Sequence, residues 1–202
     1  MAVKLAKKGN VIALSKGVKY AMIGLGWSCG SQQVDLDASA FLLGPDGKCA
    51  SDDDIIFYGM EAEDKTHYSG GNRYSGDSLA GGSGSSDDEN LFIDCDKIPD
   101  HITTIDITVT IYKWKKRHQT FGMVKNAYCR VVSTDEKFRP DGNEELRFDL
   151  KDDYPRATAM LMAQLIKTGN TWSFKAAGQD YTNAGLNKLC QDRGLETDGG
   201  DD

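Results

Sequence analysis

The chain has 202 residues, a net charge of −7 and 39% hydrophobic residues, which suits one domain with a real core and argues against broad nucleic-acid binding. The five cysteines (Cys29, Cys49, Cys95, Cys129 and Cys190) are scattered and form no C-x-x-C pair. They signal neither a zinc site nor a disulfide framework, and a reducing, cytoplasmic compartment fits them best. No apolar run is long enough for a membrane helix, and the first residues carry no secretory h-region.

Residues 11–14 and 20–25 are short apolar runs separated by Lys16-Gly17. They read as strands, closed by Gly24, Gly26 and Trp27. Residues 34–43 alternate: Val34, Leu36, Ala38, Ala40 and Leu42 share one face, and Asp35, Asp37 and Ser39 the other. The two carboxylates then lie about 7 Å apart along the strand. Like charges so placed are unfavourable unless water or a cation neutralises them. The plain alternative is a half-exposed strand with two solvated acids. The string Asp-x-Asp-x-Ser looks like the start of an EF-hand loop, but Ala40 replaces the required glycine and no helix flanks it.

Gly44-Pro45-Asp46-Gly47 is a turn. Asp52, Asp53 and Asp54 cap a strand at 55–58; they read as a solvated edge and stand only as secondary ligand candidates. Residues 61–73 look like loop. Residues 74–89 form an acidic, glycine-rich loop in which Asp77, Asp87, Asp88 and Glu89 bracket a run with almost no side chains. Glycine lets such a backbone turn its carbonyls inward, and carboxylates with carbonyls make the oxygen cage of a hard cation such as Ca²⁺. The loop lacks the lysine of a phosphate-binding loop. The bland alternative is a flexible linker ending in a charge run.

Further on, 91–93 is a short strand and 104–112 alternates well, with Ile105, Ile107, Val109 and Ile111 on one face. Lys113, Lys115, Lys116 and Arg117 form a basic cluster around Trp114. It reads as a solvated hairpin tip rather than a nucleic-acid contact. Residues 128–132 and 146–150 are strands, separated by the polar stretch 135–143. Residues 157–167 are ambiguous: their composition favours helix, yet a turn at 168–170 and a strand at 172–176 ask for a hairpin. Thr182 or Asn183 caps a closing helix, with Leu186, Leu189 and Cys190 as its buried stripe and Gly194 as its stop. The tail, 196–202, is acidic and expected to be disordered. About nine short strands and one closing helix predict a mainly all-β chain, a two-sheet β-sandwich in one domain over 1–195.

These motifs together resemble the TerD family of tellurite-resistance and stress proteins. The matching strings are Gly24-Leu25-Gly26-Trp27, the Asp35-Leu36-Asp37-Ala38-Ser39-Ala40 stretch, Ser51-Asp52-Asp53-Asp54, Ser75-Gly76-Asp77, Asp87-Asp88-Glu89, Phe121 to Tyr128, and Ala176-Ala177-Gly178-Gln179. They run in family order from about residue 5 to residue 195. The resemblance implies a β-sandwich, a hairpin over 157–176, and Ca²⁺ held by Asp35, Asp37, Asp77, Asp87, Asp88 and Glu89. The chain departs from the family at Ser28, Ser78 and Ser85-Ser86, where acidic residues, Asn or Gly are usual. Fewer carboxylates lower the site's charge, which tunes affinity downward and leaves a second ion open.

The function expected is that of a calcium-binding, non-enzymatic stress protein, a metal-dependent scaffold or sensor for other stress-response proteins. Two readings stand beside it. A metal-dependent hydrolase would use the same acids, although His67, His101 and His118 form no ligand-spaced cluster and no Gly-x-Ser-x-Gly elbow is present. A membrane-binding module would bridge Ca²⁺ to anionic lipid, giving peripheral membrane contact.

Overall fold

The computed structural model describes residues 4–5, 8–13, 18–59, 66–67, 72–74, 87–134, 136, 142–150 and 154–199. Its strands are β1 (Lys4–Leu5), β2 (Val11–Ala13), β3 (Tyr20–Cys29), β4 (Leu36–Leu43), β5 (Ile55–Ile56), β6 (Thr66–His67), β7 (Asn72–Tyr74), β8 (Glu89–Asp94), β9 (Thr104–Ile111), β10 (Val124–Thr134), β11 (Asn143–Asp149), β12 (Ala159–Thr168) and β13 (Thr171–Tyr181). Two short helices follow β9 and β13: α1 (Trp114–Arg117) and α2 (Leu186–Asp192). One sheet has the order β1-β11-β10-β3-β8-β7-β6 and the other β2-β13-β12-β9-β4-β5. Every described pairing is antiparallel except β1 with β11. This is the expected β-sandwich, with more strands than the nine read from the sequence.

The core follows from alternation. Ala21, Ile23, Leu25 and Trp27 of β3 meet Leu36, Ala38, Ala40 and Leu42 of β4 and Ile105, Ile107, Val109 and Ile111 of β9 in one apolar cluster between the sheets. A second cluster lies on the outer side of the β4 sheet, where Phe41 and Leu43 pack with Ala184, Leu189, Cys190 and Leu195 of the C-terminal segment. That cover buries the outward-facing Phe41 and Leu43 of β4. All of β4 is buried, Asp37 at 3% exposure included, and so is Asp35 just before it, at 2%. The half-exposed strand with solvated acids is therefore not what forms.

Several local expectations change. β3 does not stop at Gly24 but runs on to Cys29. The glycines are there for close approach: a Cβ on Gly24 would sit 2.3 Å from Asp87 Oδ2, and one on Gly26 would sit 2.5 Å from the Tyr128 ring. Residues 66–67 and 72–74, read as loop, pair with each other as a hairpin, and β7 then joins β8. The three acids at 52–54 form a one-turn 3-10 helix with a capping box. Asp54 is buried there, and its carboxylate accepts the backbone N–H groups of Ala50 at 2.7 Å and Ser51 at 3.1 Å. Residues 159–167 belong to the β12–β13 hairpin, so pairing with β9 and β13 overrides helix propensity. The basic cluster is no hairpin tip: it is the single turn α1, flanked by left-handed Lys113 and His118.

The closing helix starts without the expected Thr182 or Asn183 cap; Gly185 is its N-cap and no side chain caps it. It stops as expected at Gly194, whose φ of 85° is the left-handed conformation glycine adopts easily, with Leu195 N–H returning to the Cys190 carbonyl. Of the tail, residues 196–199 have no regular structure, and 200–202 lie outside the described residues.

Candidate functional site

The acidic run Asp87-Asp88-Glu89 enters the fold at the start of β8, and each of its carboxylates goes to a different place. Glu89 is the first residue of β8, points into the sandwich and is fully buried. Its Oε2 accepts the N–H of Ala38, in the opposite sheet, at 2.8 Å. That N–H is available because β5 pairs only with Ala40 and Phe41 and leaves the rest of this β4 edge uncovered. Asp88 continues the ladder one residue beyond β8. Its N–H donates to the Leu25 carbonyl at 2.8 Å, and its Oδ2 accepts the Trp27 N–H at 2.9 Å. Asp87 turns to the outer face of the β3 sheet. Its Oδ2 accepts from Arg130 Nη2 at 2.7 Å, and its Oδ1 accepts from Arg130 Nε at 2.8 Å and from Tyr128 OH at 2.9 Å.

The partners of Asp87 are arranged by a bulge in β10. The register with β3 shifts between Lys125 and Tyr128, with left-handed Asn126 inside it. Beyond the bulge, Tyr128 and Arg130 stand on one face opposite Gly26 and Gly24. Arg130 also donates to Glu144 at 3.0 Å, and the Arg147 guanidinium stacks 3.5 Å from the centre of the Tyr128 ring. Burial, then the Asp87 charge and hydrogen bond, push the Tyr128 hydroxyl above its ordinary value. The hydrogen bond to Asp87 is the main reason Arg130 holds its proton even more firmly than a free arginine.

Asp37, on the outer face of β4, and Asp35, just before the strand, stand beside the uncovered edge that Glu89 reaches. Asp35 Oδ2 lies 3.2 Å from Arg117 Nη1 of α1, and its carbonyl accepts the Tyr112 N–H. The basic cluster thus spends its arginine on this acid. Asp37 sits opposite Thr110, and the next pair along is Ser39 with Thr108. The Ser39 and Thr108 hydroxyls are buried and have no hydrogen-bond partner among the described residues. Asp77 and the rest of 75–86 lie outside the described residues.

The donors gathered at this end of the sandwich are all oxygens: carboxylates, hydroxyls and main-chain carbonyls. That set suits a hard cation rather than zinc or copper. Among the described residues no group of three His, Cys, Asp or Glu side chains stands close enough to hold a metal by itself. His101 and His118 are exposed.

Sequence reasoning found the acids through their motifs but missed Arg130, Glu144 and the Arg193–Asp106 pair. One signal was available for Arg130: it stands two residues after Tyr128 in a strand of buried neighbours, where a charge needs a partner. The identity of that partner, 43 residues away, has no local signature.

The chain matches the TerD domain model over residues 1–192. It is 39% identical to a tellurium resistance protein TerD of Serratia marcescens over 96% of this chain and 98% of that one. It is 37% identical to general stress protein 16U of Bacillus subtilis (strain 168), over 97% and 99%. An uncharacterized protein of the same bacterium, YceE, is 41% identical over 97% and 100%. A solved structure of a TerD homologue, SCO6318 from Streptomyces coelicolor A3(2), superposes with a TM-score of 0.63 at 18% identity, covering 86% of this chain and 96% of that one. The names of the Serratia protein and of 16U are those of resistance and stress proteins, not of enzymes. The chain belongs to the TerD domain family.

Proposed function

We propose that the chain is a calcium-binding stress-response protein of the cytoplasm that performs no chemistry of its own and serves as a metal-dependent scaffold or sensor for other stress-response proteins. The observation that carries this reading is the placement of the acidic run. Asp88 and Glu89 are tied to the two sheets at the point where β4 leaves its edge open, beside the buried Asp37. Residues 75–86, with Asp77 and backbone carbonyls, would supply the donors that the described residues lack. Bound there, Ca²⁺ supplies charge neutralisation to acids that otherwise repel one another. Asp35, Asp37, Asp88 and Glu89 orient oxygens, and the shape of the loop becomes the signal a partner reads.

The test is thermal unfolding of the chelator-stripped chain with and without Ca²⁺. A ligand at a hundred times Kd that binds only the folded state adds about 2.7 kcal/mol. For a domain of this size that is a rise in Tm of roughly 5–10 °C. Asp77→Asn removes most of the rise, and Mg²⁺, which prefers six close ligands and keeps its waters, gives little of it. An unchanged Tm at millimolar Ca²⁺ refutes the reading.

A further inference from the structure

Asp87 is a carboxylate like Asp88 and Glu89, but its surroundings differ from those of a ligand. Both of its oxygens face protein donors: Oδ1 takes Tyr128 OH and Arg130 Nε, and Oδ2 takes Arg130 Nε at 3.0 Å and Nη2 at 2.7 Å. The carboxylate is 5% exposed, and it lies on Gly24, whose missing Cβ makes the room. Arg130 is itself braced by Glu144 at 3.0 Å. The planar fork of a guanidinium matches a carboxylate in both geometry and charge. To coordinate a cation, Asp87 would have to give up that match in a site where its charge is already neutralised.

We infer that Asp87 is the anchor of the acidic loop rather than one of its ligands, and that Arg130 is a positioning residue for the metal site. The inference rests on the calcium reading above. The pair clamps the chain to the outer face of one sheet immediately before Asp88 and Glu89. It thereby fixes the chain at its entry into β8, and so the direction in which the two following carboxylates are presented.

The two roles give opposite signs. If Asp87 were a ligand restrained by Arg130, then Arg130→Gln would free a carboxylate, remove a repelling positive charge and tighten Ca²⁺. If Asp87 is the anchor, Arg130→Gln weakens Ca²⁺ by about 10–100-fold, the usual cost of losing an outer support of a metal site. The experiment is Ca²⁺ titration by calorimetry on the full chain. Expected are weaker binding in Arg130→Gln, a similar loss in Asp87→Asn, no further loss in the double variant and unchanged stoichiometry. Gly24→Ala, which alters no charge but pushes the Asp87 carboxylate aside, weakens binding too. Tyr128→Phe is the mildest variant and has a smaller effect of the same sign.

Tighter binding in Arg130→Gln overturns the inference, as does a loss in Asp87→Asn far larger than in Arg130→Gln. If the wild-type chain shows no response to Ca²⁺, the calcium reading fails by itself. The anchor is then read in the metal-free protein by hydrogen exchange of the Asp88 and Trp27 amides. Faster exchange there in Arg130→Gln supports the clamp, and unchanged exchange overturns it.

Discussion

Cys129 lies on β10 between Tyr128 and Arg130, with its thiol turned into the sandwich and 1% of it exposed. Burial, and then the charge of Asp87, push that thiol from 9.0 up to about 12. Burial also pushes Cys49, beside Asp54, and Cys95, beside Asp94, up to about 12. Each of these groups keeps its proton in the native state at a pH where the unfolded chain releases it. Folded protein therefore binds more protons than unfolded protein above pH 9, and stability declines with rising pH. The contribution is complete below about pH 9 and is lost on the way to pH 12. The raised Tyr128 hydroxyl acts in the same direction. Urea-unfolding midpoints should hold between pH 7 and 8.5 and fall steadily from pH 9.5 to 11. A midpoint that is flat across that upper interval contradicts the protonated, buried thiols. At neutral pH these cysteines should also resist alkylation until the chain is unfolded.

At the level of elements, α2 and the residues after it act as a lid on the outer face of the β4 sheet. Their hold depends on one buried ion pair. Arg193 Nη2 and Nε donate to Asp106 Oδ2 at 2.6 and 3.0 Å, Gln164 donates to Oδ1 at 2.8 Å, and the guanidinium lies 4.7 Å from the Phe41 ring centre. Arg193→Met strands the Asp106 charge beneath that cover and should cost about 3–5 kcal/mol in denaturant unfolding. Adding Asp106→Asn removes the stranded charge while Gln164 keeps its acceptor, and should recover most of the loss. Failure of the second change to recover stability would mean that packing, not charge, dominates the defect.

This lid also explains what the sequence could and could not disclose. Alternation in 34–43 and 104–112 gave the strands and the face that enters the main core, since period two is a local property. It put Asp35, Asp37 and Ser39 on the opposite face and left water or a cation to neutralise the two acids; that this face is buried, with a C-terminal segment over Phe41 and Leu43, has no signal within ten residues. Composition left 157–167 open between helix and hairpin for the same reason, with pairing partners on β9 that lie about fifty residues away, and only the family resemblance implied the hairpin. The acids of the candidate site were legible as motifs. The cations that hold two of them, Arg130 on Asp87 and Arg117 on Asp35, were not, because ion pairs across 43 and 82 residues follow from topology alone.

At the scale of the whole molecule, one short stretch serves both sheets. β1 lies at one end of the first sheet, in register with Leu146 and Arg147, and β2 lies at one end of the second, against residues 173–175. Residues 4–5 and 11–13 are thus a shared hem, sewn along two borders at once. Cutting away residues 1–13 would leave β11 and β13 with bare rows of amides and carbonyls, the kind of template on which other chains line up. Such a shortened protein should keep its interior yet gather into concentration-dependent assemblies, seen by light scattering and sedimentation, while the intact chain at equal concentration does not. A shortened form that sediments as the intact one does would show that those borders are guarded in some other way.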